Sequence, residues 1–192
     1  MTRRREVNIL DQVKDKIFYH IGTFKEGQRE VIGKKVNPFF KSFDNFGYTG
    51  AIGWNQCVEL LKEYQLYARE RIFEDIRLAS FPSFPSRKTC LWLLRADHLM
   101  DKVTYWREEL SPEKHLYKLS CTGNIHVADD AFLTPRFGFL PTYREDAVKY
   151  WSGEWVSKSC IHEEVLFQGE VFVIKDYGPV TDDIFSSHPE LR

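Results

Sequence analysis

Hydrophobic and polar positions change period several times along the chain, and each change predicts an element. Residues 17–23, IFYHIGT, are an apolar run ending near a glycine and predict a short strand and turn. Residues 24–33, FKEGQREVIG, are polar with two glycines and read as a connection. NPFFKSFDNFGYTG, residues 37–50, is irregular and reads as a loop partly buried by its rings. From residue 54 to 79, apolar side chains recur at three-to-four spacing (Val58, Leu61, Tyr64, Ala68, Ile72, Ile76) with no proline, which predicts a long helix. A break near Arg69 is one way to divide it, and Pro82 and Pro85 end it.

Beyond the prolines, KTCLWLL (88–94) is an unbroken apolar run and predicts a strand buried on both faces. Residues 95–110 predict a helix closed by Pro112, and HLYKLSC (115–121) alternates as a strand does. Residues 122–142 read mainly as loop, and residues 143–154 as a short helix carrying Ala147, Val148, Tyr150 and Trp151. EVLFQ and EVFVIKD flank Gly169 and form either one bent strand or two. There is no repeat or linker, so the expectation is one α+β domain: a core over 17–176, an N-terminal tail or helix over 1–16, and a C-terminal tail over 177–192. The 54–79 helix is an insertion or a packed layer of that domain.

Composition narrows the function classes. A chain of 192 residues suits a single domain, and one of this size buries roughly 70% of its unfolded surface. Aromatic residues make up 15%, which points to packed sheets or platforms for flat ligands. The net charge of −1 gives no global field to attract nucleic acid; the three arginines at 3–5 read as a solvated tail. Cys57, Cys90, Cys121 and Cys160 form no C-x-x-C pair, so no metal is expected, and Cys90 and Cys121 sit in strand-like runs as small core residues. No secretory apolar region follows the basic start and no apolar run reaches 18 residues. The expected setting is cytoplasmic, or a target cell reached without a cleaved signal, with no membrane partner.

Phosphate-loop, nucleophile-elbow and zinc-helix motifs are absent. EVLFQG at 164–169 resembles a tag-removal protease site, but Glu170 follows the glycine and an apolar strand continues, so the segment is native.

Three spaced stretches carry a resemblance: YHIGT at 19–23, KTCLWLLRADHLMDKVTYW at 88–106 and EEVLFQGEVFVIKD at 163–176. Together they resemble the ADP-ribosyltransferase superfamily, with its Y-H-G-[ST] strand, its tyrosine on a helix after a central strand, and its catalytic glutamate before V-L. The layout YH…PSR…YW…EVLF also resembles an uncharacterised bacterial family. The resemblance implies a split, mostly antiparallel sheet and NAD as substrate, with no metal. It implies that His20 binds the adenosine ribose, that Tyr105 (or its neighbour Trp106) stacks on the nicotinamide, and that Glu164 is catalytic. Gly22 and Thr23 follow His20 as further cofactor contacts, although Ile21 interrupts the family pattern. The arginine-modifying branch has Glu or Gln two positions before the catalytic glutamate. Here that position is His162, an acceptor contact that argues against arginine as the target.

The chemistry suits those residue types. Cleavage of the nicotinamide–ribose bond passes through an oxocarbenium-like sugar, which a nearby carboxylate stabilises. An aromatic face holds the nicotinamide and an imidazole bonds a ribose hydroxyl. Ser86 and Arg87 offer an anion-binding pair for the pyrophosphate, or belong to a proline-rich turn whose serines are incidental. Arg69, Arg71 and Arg77 read as a solvated helix face paired with Glu70, Glu74 and Asp75, or as an acceptor surface. The expected activity is mono-ADP-ribosyl transfer to a protein or nucleic acid, as in a toxin or effector; whether an inhibitor or antitoxin partners it is left open by the sequence. The alternatives are a non-catalytic α+β interaction module and an RNA 2′-phosphotransferase-like enzyme.

Overall fold

The computed structural model describes residues 10–45, 53–107, 113–134, 140–156 and 159–191. It is an α+β fold built on one antiparallel sheet. Its strands are β1 (Leu10–Gly22), β2 (Arg29–Ile32), β3 (Leu91–Leu93), β4 (His115–Asp129) and β5 (Glu163–Pro179). β4 lies between β1 and β5. The far edge of β5 is shared end to end, with β3 along Val165–Phe167 and β2 along Gly169–Phe172. The sheet curls far enough for Leu94, just past β3, to exchange both backbone hydrogen bonds with Tyr19 of β1 (2.7 and 2.9 Å).

Period-two alternation fills the inside of this curl. Tyr117, Leu119, Cys121, Ile125 and Val127 of β4 meet Val165, Phe167, Val171 and Val173 of β5 in one buried cluster. Val13 and Phe18 of β1 join them although they differ in parity. A bulge between Val13 and Lys16, with Asp15 at φ 50°, adds the residue that turns both inward. Midway along, Gly123 and Gly169 face each other at φ +156° and +148°. A Cβ on either would fall 2.3–2.4 Å from a backbone oxygen of the other strand, so only glycine lets β4 and β5 approach and bend together here.

The outer face carries the helices: α1 (Pro38–Ser42), α2 (Trp54–Ser80), α3 (Leu99–Trp106), α4 (Leu140–Trp151) and α5 (Ile184–Ser187). α2 and α4 pack on each other around Phe73, Ala147, Tyr150 and Trp151, and the Trp151 indole donates to the Phe73 carbonyl at 2.8 Å. Leu166 of β5 and Ala128 of β4 complete that cluster. α3 packs at the other end of the sheet through Leu99 and Val103.

Several expectations change. Residues 10–16 are strand and not tail, and β2 lies inside the supposed polar connection. β4 runs eight residues past Cys121 to Asp129, because Ile125 and Val127 keep the inward alternation through a polar-looking stretch. The 37–50 loop contains α1, capped by the Asn37 side chain; residues 46–50 lie outside the described set. The 95–110 helix is a 3-10 turn at 96–98 followed by α3, and the C-terminal tail holds α5 and a further 3-10 turn. α2 is continuous through Arg69. Gly169 bends a single strand and does not separate two.

Candidate functional site

Beyond the Tyr19–Leu94 bridge no further pairing joins β1 to β3 among the described residues, and the His20 imidazole spans the opening. Its Nδ1 donates to the Trp92 carbonyl at 2.8 Å. Burial pulls the His20 pKa down to about 4, against that hydrogen bond and with help from the Lys114 charge. The ring is therefore neutral near pH 7, with its proton on Nδ1 and a lone pair on Nε2. Gly22 shares the strand face, and a Cβ there would lie 2.3 Å from His20 Nε2, so the glycine gives the ring its room.

The cleft beside this split has a volume of about 720 Å³. His20, Tyr105, Trp106, Arg87, His162 and Glu164 all line it, from four separate regions of the chain. Tyr105 is 49% exposed and is not core filling; it sits edge-on to Trp106 at 5.3 Å between ring centres. Thr23 is exposed and, with Gly22 and Ser86, does not line the cleft.

Glu164 falls on the helix-covered face because Val165 and Phe167 point inward. Its Oε1 accepts from the Trp92 indole N–H at 2.7 Å, and its Oε2 accepts from Arg87 and from the Tyr150 hydroxyl. A carboxylate has about four acceptor positions, so one on Oε1 remains for a ligand. Arg87 is buried and also binds Glu70 of α2, from Nε at 2.8 Å. Glu70 is 0% exposed and takes a second guanidinium from Arg69 at 2.5 Å. Burial works to raise the Glu70 pKa, but the charges of Arg87 and Arg69 prevail and hold it below its ordinary range. Two arginines and two glutamates thus balance beneath the cleft.

Local sequence places Arg87 in that network. The proline-containing segment after α2 is pinned by Arg77, which donates to the Pro82 and Phe84 carbonyls at 3.1 Å, and by Ser86, whose hydroxyl donates to Glu74 at 2.9 Å. Asn37 donates to the Arg87 carbonyl at 2.7 Å. Ser86 therefore serves the loop, and the Arg87 guanidinium is committed to Glu70, Glu164 and Tyr150, so the expected pyrophosphate pair is not assembled. Arg69 and Arg77 are buried and pair with the buried Glu70 and the partly buried Glu74, which corrects the solvated-face reading of α2 for those positions.

A second polar group stands at the cleft wall. His162 Nδ1 lies 2.7 Å from Asp130 Oδ1, and burial raises the Asp130 pKa although the His162 hydrogen bond opposes it. Lys102 of α3 is buried, and its ammonium donates to the Ile161 and Glu163 carbonyls on either side of His162. Burial lowers the Lys102 pKa. Asp129, Asp130 and His162 bring ligand-type atoms within 4.8 Å of one another and are the described residues with metal-ligating geometry. The Asp129 oxygens already accept from the Ala131 and Val156 amides at 2.9 and 2.8 Å.

Sequence reasoning did not single out Trp92, Glu70, Tyr150, Lys102 or Asp130. Trp92 and Tyr150 read as apolar pattern positions, and Glu70 as one of many charges on a polar helix. Asp130 lay in a supposed loop, which the continuation of β4 would have corrected.

A family model described as "Protein of unknown function (DUF2441)" matches residues 11–179. The chain belongs to the DUF2441 family. The match runs from β1 to the end of β5, so every residue lining the cleft lies within the DUF2441 region. Curated proteins give no match to the chain. No helix among the described residues is long and apolar enough to cross a membrane.

Proposed function

We propose that this protein is an NAD-dependent mono-ADP-ribosyltransferase that cleaves the nicotinamide–ribose bond in the cleft beside His20. The observation that carries the reading is convergence: His20, Tyr105 and Glu164, distant in sequence, line one cavity. The curled antiparallel sheet with its split between β1 and β3 supports the finer assignment to an ADP-ribosyltransferase-type fold.

In this reading each group has a task that follows from its surroundings. The His20 Nε2 lone pair accepts a hydrogen bond from a hydroxyl of the adenosine ribose. Tyr105, half exposed on the cleft wall, offers its ring face to the nicotinamide, and Trp106 buttresses it. Glu164 uses its remaining acceptor position on the nicotinamide-side ribose, and its charge stabilises the oxocarbenium-like sugar as the bond to nicotinamide breaks. Trp92, Arg87 and Tyr150 fix that carboxylate in advance, so little reorganisation is needed at the transition state. A phosphate-transfer enzyme built on clustered arginines has less support, since Arg69 and Arg87 turn inward to Glu70.

The test is nicotinamide release and label transfer from NAD by the wild type and by Glu164→Gln. Removal of a placed electrostatic group of this kind costs roughly 10²- to 10³-fold in rate. Release that is unchanged in folded Glu164→Gln, or no NAD binding by calorimetry at millimolar ligand, sinks the proposal.

A further inference from the structure

The proposed NAD chemistry leaves His162 and Asp130 unused, although both face the same cleft. Their arrangement is that of a base with its orienting partner. Asp130 Oδ1 sits 2.7 Å from His162 Nδ1, which places the ring proton on Nδ1 and leaves the lone pair on Nε2. Nε2 has no hydrogen-bond partner among the described residues, and the side chain is 38% exposed. The backbone that carries the ring is held on both sides: Lys102 donates to the carbonyls of the flanking residues, Ile161 and Glu163. The charged groups around the pair are Asp129 at the end of β4, Lys102 of α3, and Glu163 and Glu164 opening β5.

The cleft carboxylates narrow the acceptor. A guanidinium acceptor needs a free carboxylate to hold its fork. Asp130 is engaged by His162, Glu164 by Arg87, Tyr150 and Trp92, and Glu163 faces Arg95 at 3.4 Å. A hydroxyl needs only a neutral imidazole nitrogen to take its proton.

Resting on the NAD-cleavage reading, we propose that the His162–Asp130 pair activates the acceptor and that the acceptor nucleophile is a hydroxyl group. His162 Nε2 takes the hydroxyl proton as the oxygen bonds to the ribose C1′. The C1′–N bond breaks, and its electron pair leaves on nicotinamide, neutralising the pyridinium charge. The proton ends on His162, where the Asp130 carboxylate stabilises the imidazolium. His162 touches the acceptor; Asp130 is a positioning residue.

The experiment uses the full chain with NAD, methanol as the hydroxyl probe and agmatine as the guanidine probe, following nicotinamide and ADP-ribosyl products. A seryl peptide and an oligoribonucleotide in parallel arms distinguish protein from ribose hydroxyls. The expected result is an O-methyl product with no preference for agmatine. His162→Gln should lower transfer to methanol by about 10²- to 10⁴-fold, with NAD affinity unchanged. Asp130→Asn, which keeps size and shape, should lower kcat for transfer with the KM for NAD unchanged, and it stands in if His162→Gln does not fold. A wild-type rate of transfer in folded His162→Gln, or agmatine preferred over methanol, overturns the pair as base. Absence of nicotinamide release from the wild type overturns both readings, and so is distinct from release that merely survives loss of His162.

Discussion

His20 and Glu164 are fastened to the same residue. Trp92 accepts the His20 Nδ1 proton on its carbonyl and donates its indole N–H to Glu164, and it stands 72 residues from each in sequence. The two substrate contacts proposed above are therefore set by one short strand. β3 has only three residues, but it is paired to β5 along its length and tied to β1 at Leu94, so its position is determined from both sides. Trp92→Phe keeps the backbone contact and removes the donor. It should destabilise the fold by about 1.5–3 kcal/mol, as expected for a hydrogen bond to a charged group. Nicotinamide release should fall at least about tenfold, or roughly 1.4 kcal/mol of barrier. Urea unfolding and turnover of the same preparation check both figures.

Glu70 has a structural task. Glu70→Ala leaves the Arg69 and Arg87 charges buried without their shared partner. Breaking one side of a buried pair costs about 3–5 kcal/mol. The expected outcome is a fall in stability of that order, read by chemical denaturation. A change below about 1 kcal/mol would show that the charges relax to solvent.

His20 makes the fold sensitive to acid. Its folded pKa, lowered by burial to about 4 from an ordinary 6.5, means that the unfolded chain binds the proton first. The contribution is fully present above about pH 6.5 and is lost as pH falls toward 4. His20→Gln should remove that part of the acid dependence. The stability gap between wild type and variant, measured by denaturant titration at pH 7 and pH 5, should therefore narrow at the lower pH.

Tyr105 separates ligand contact from folding. At 49% exposure, its replacement by alanine should shift stability by no more than about 0.5 kcal/mol. A lost aromatic stacking contact of about 0.5–1.5 kcal/mol should weaken NAD binding roughly two- to tenfold. Calorimetry with NAD and a thermal melt distinguish this from a core role, which would move the melt instead.

Much of the frame was legible in the pattern. The α2 periodicity, the apolar run around β3 and the β5 sequence each carried their own signal. β2 and the second half of β4 did not. Arg29–Ile32 is polar because it lies at an edge, and Thr122 to Asn124 hides the alternation with small and polar residues at the glycine crossing. His20, Tyr105 and Glu164, which the resemblance picked out from three distant stretches, line one cleft. The supporting groups were not legible, since Glu70, Tyr150 and Trp92 acquire their roles through contacts across long sequence separations. Arg87 was found for its charge but assigned to a ligand, when burial commits it to Glu70 and Glu164.

The facing glycines of β4 and β5 give the chain a built-in reporter of breathing. The Gln168–Gly169 bond resembles a site for a common tag-removal protease, yet Gln168 pairs with Asn124, and Gly169 with both Gly123 and Ile32. A protease needs that segment free, so digestion should follow the population in which β5 detaches from its neighbours. The protein should pass intact through routine tag cleavage, and a slow cut at that one bond would time the opening of the strand that carries Glu164.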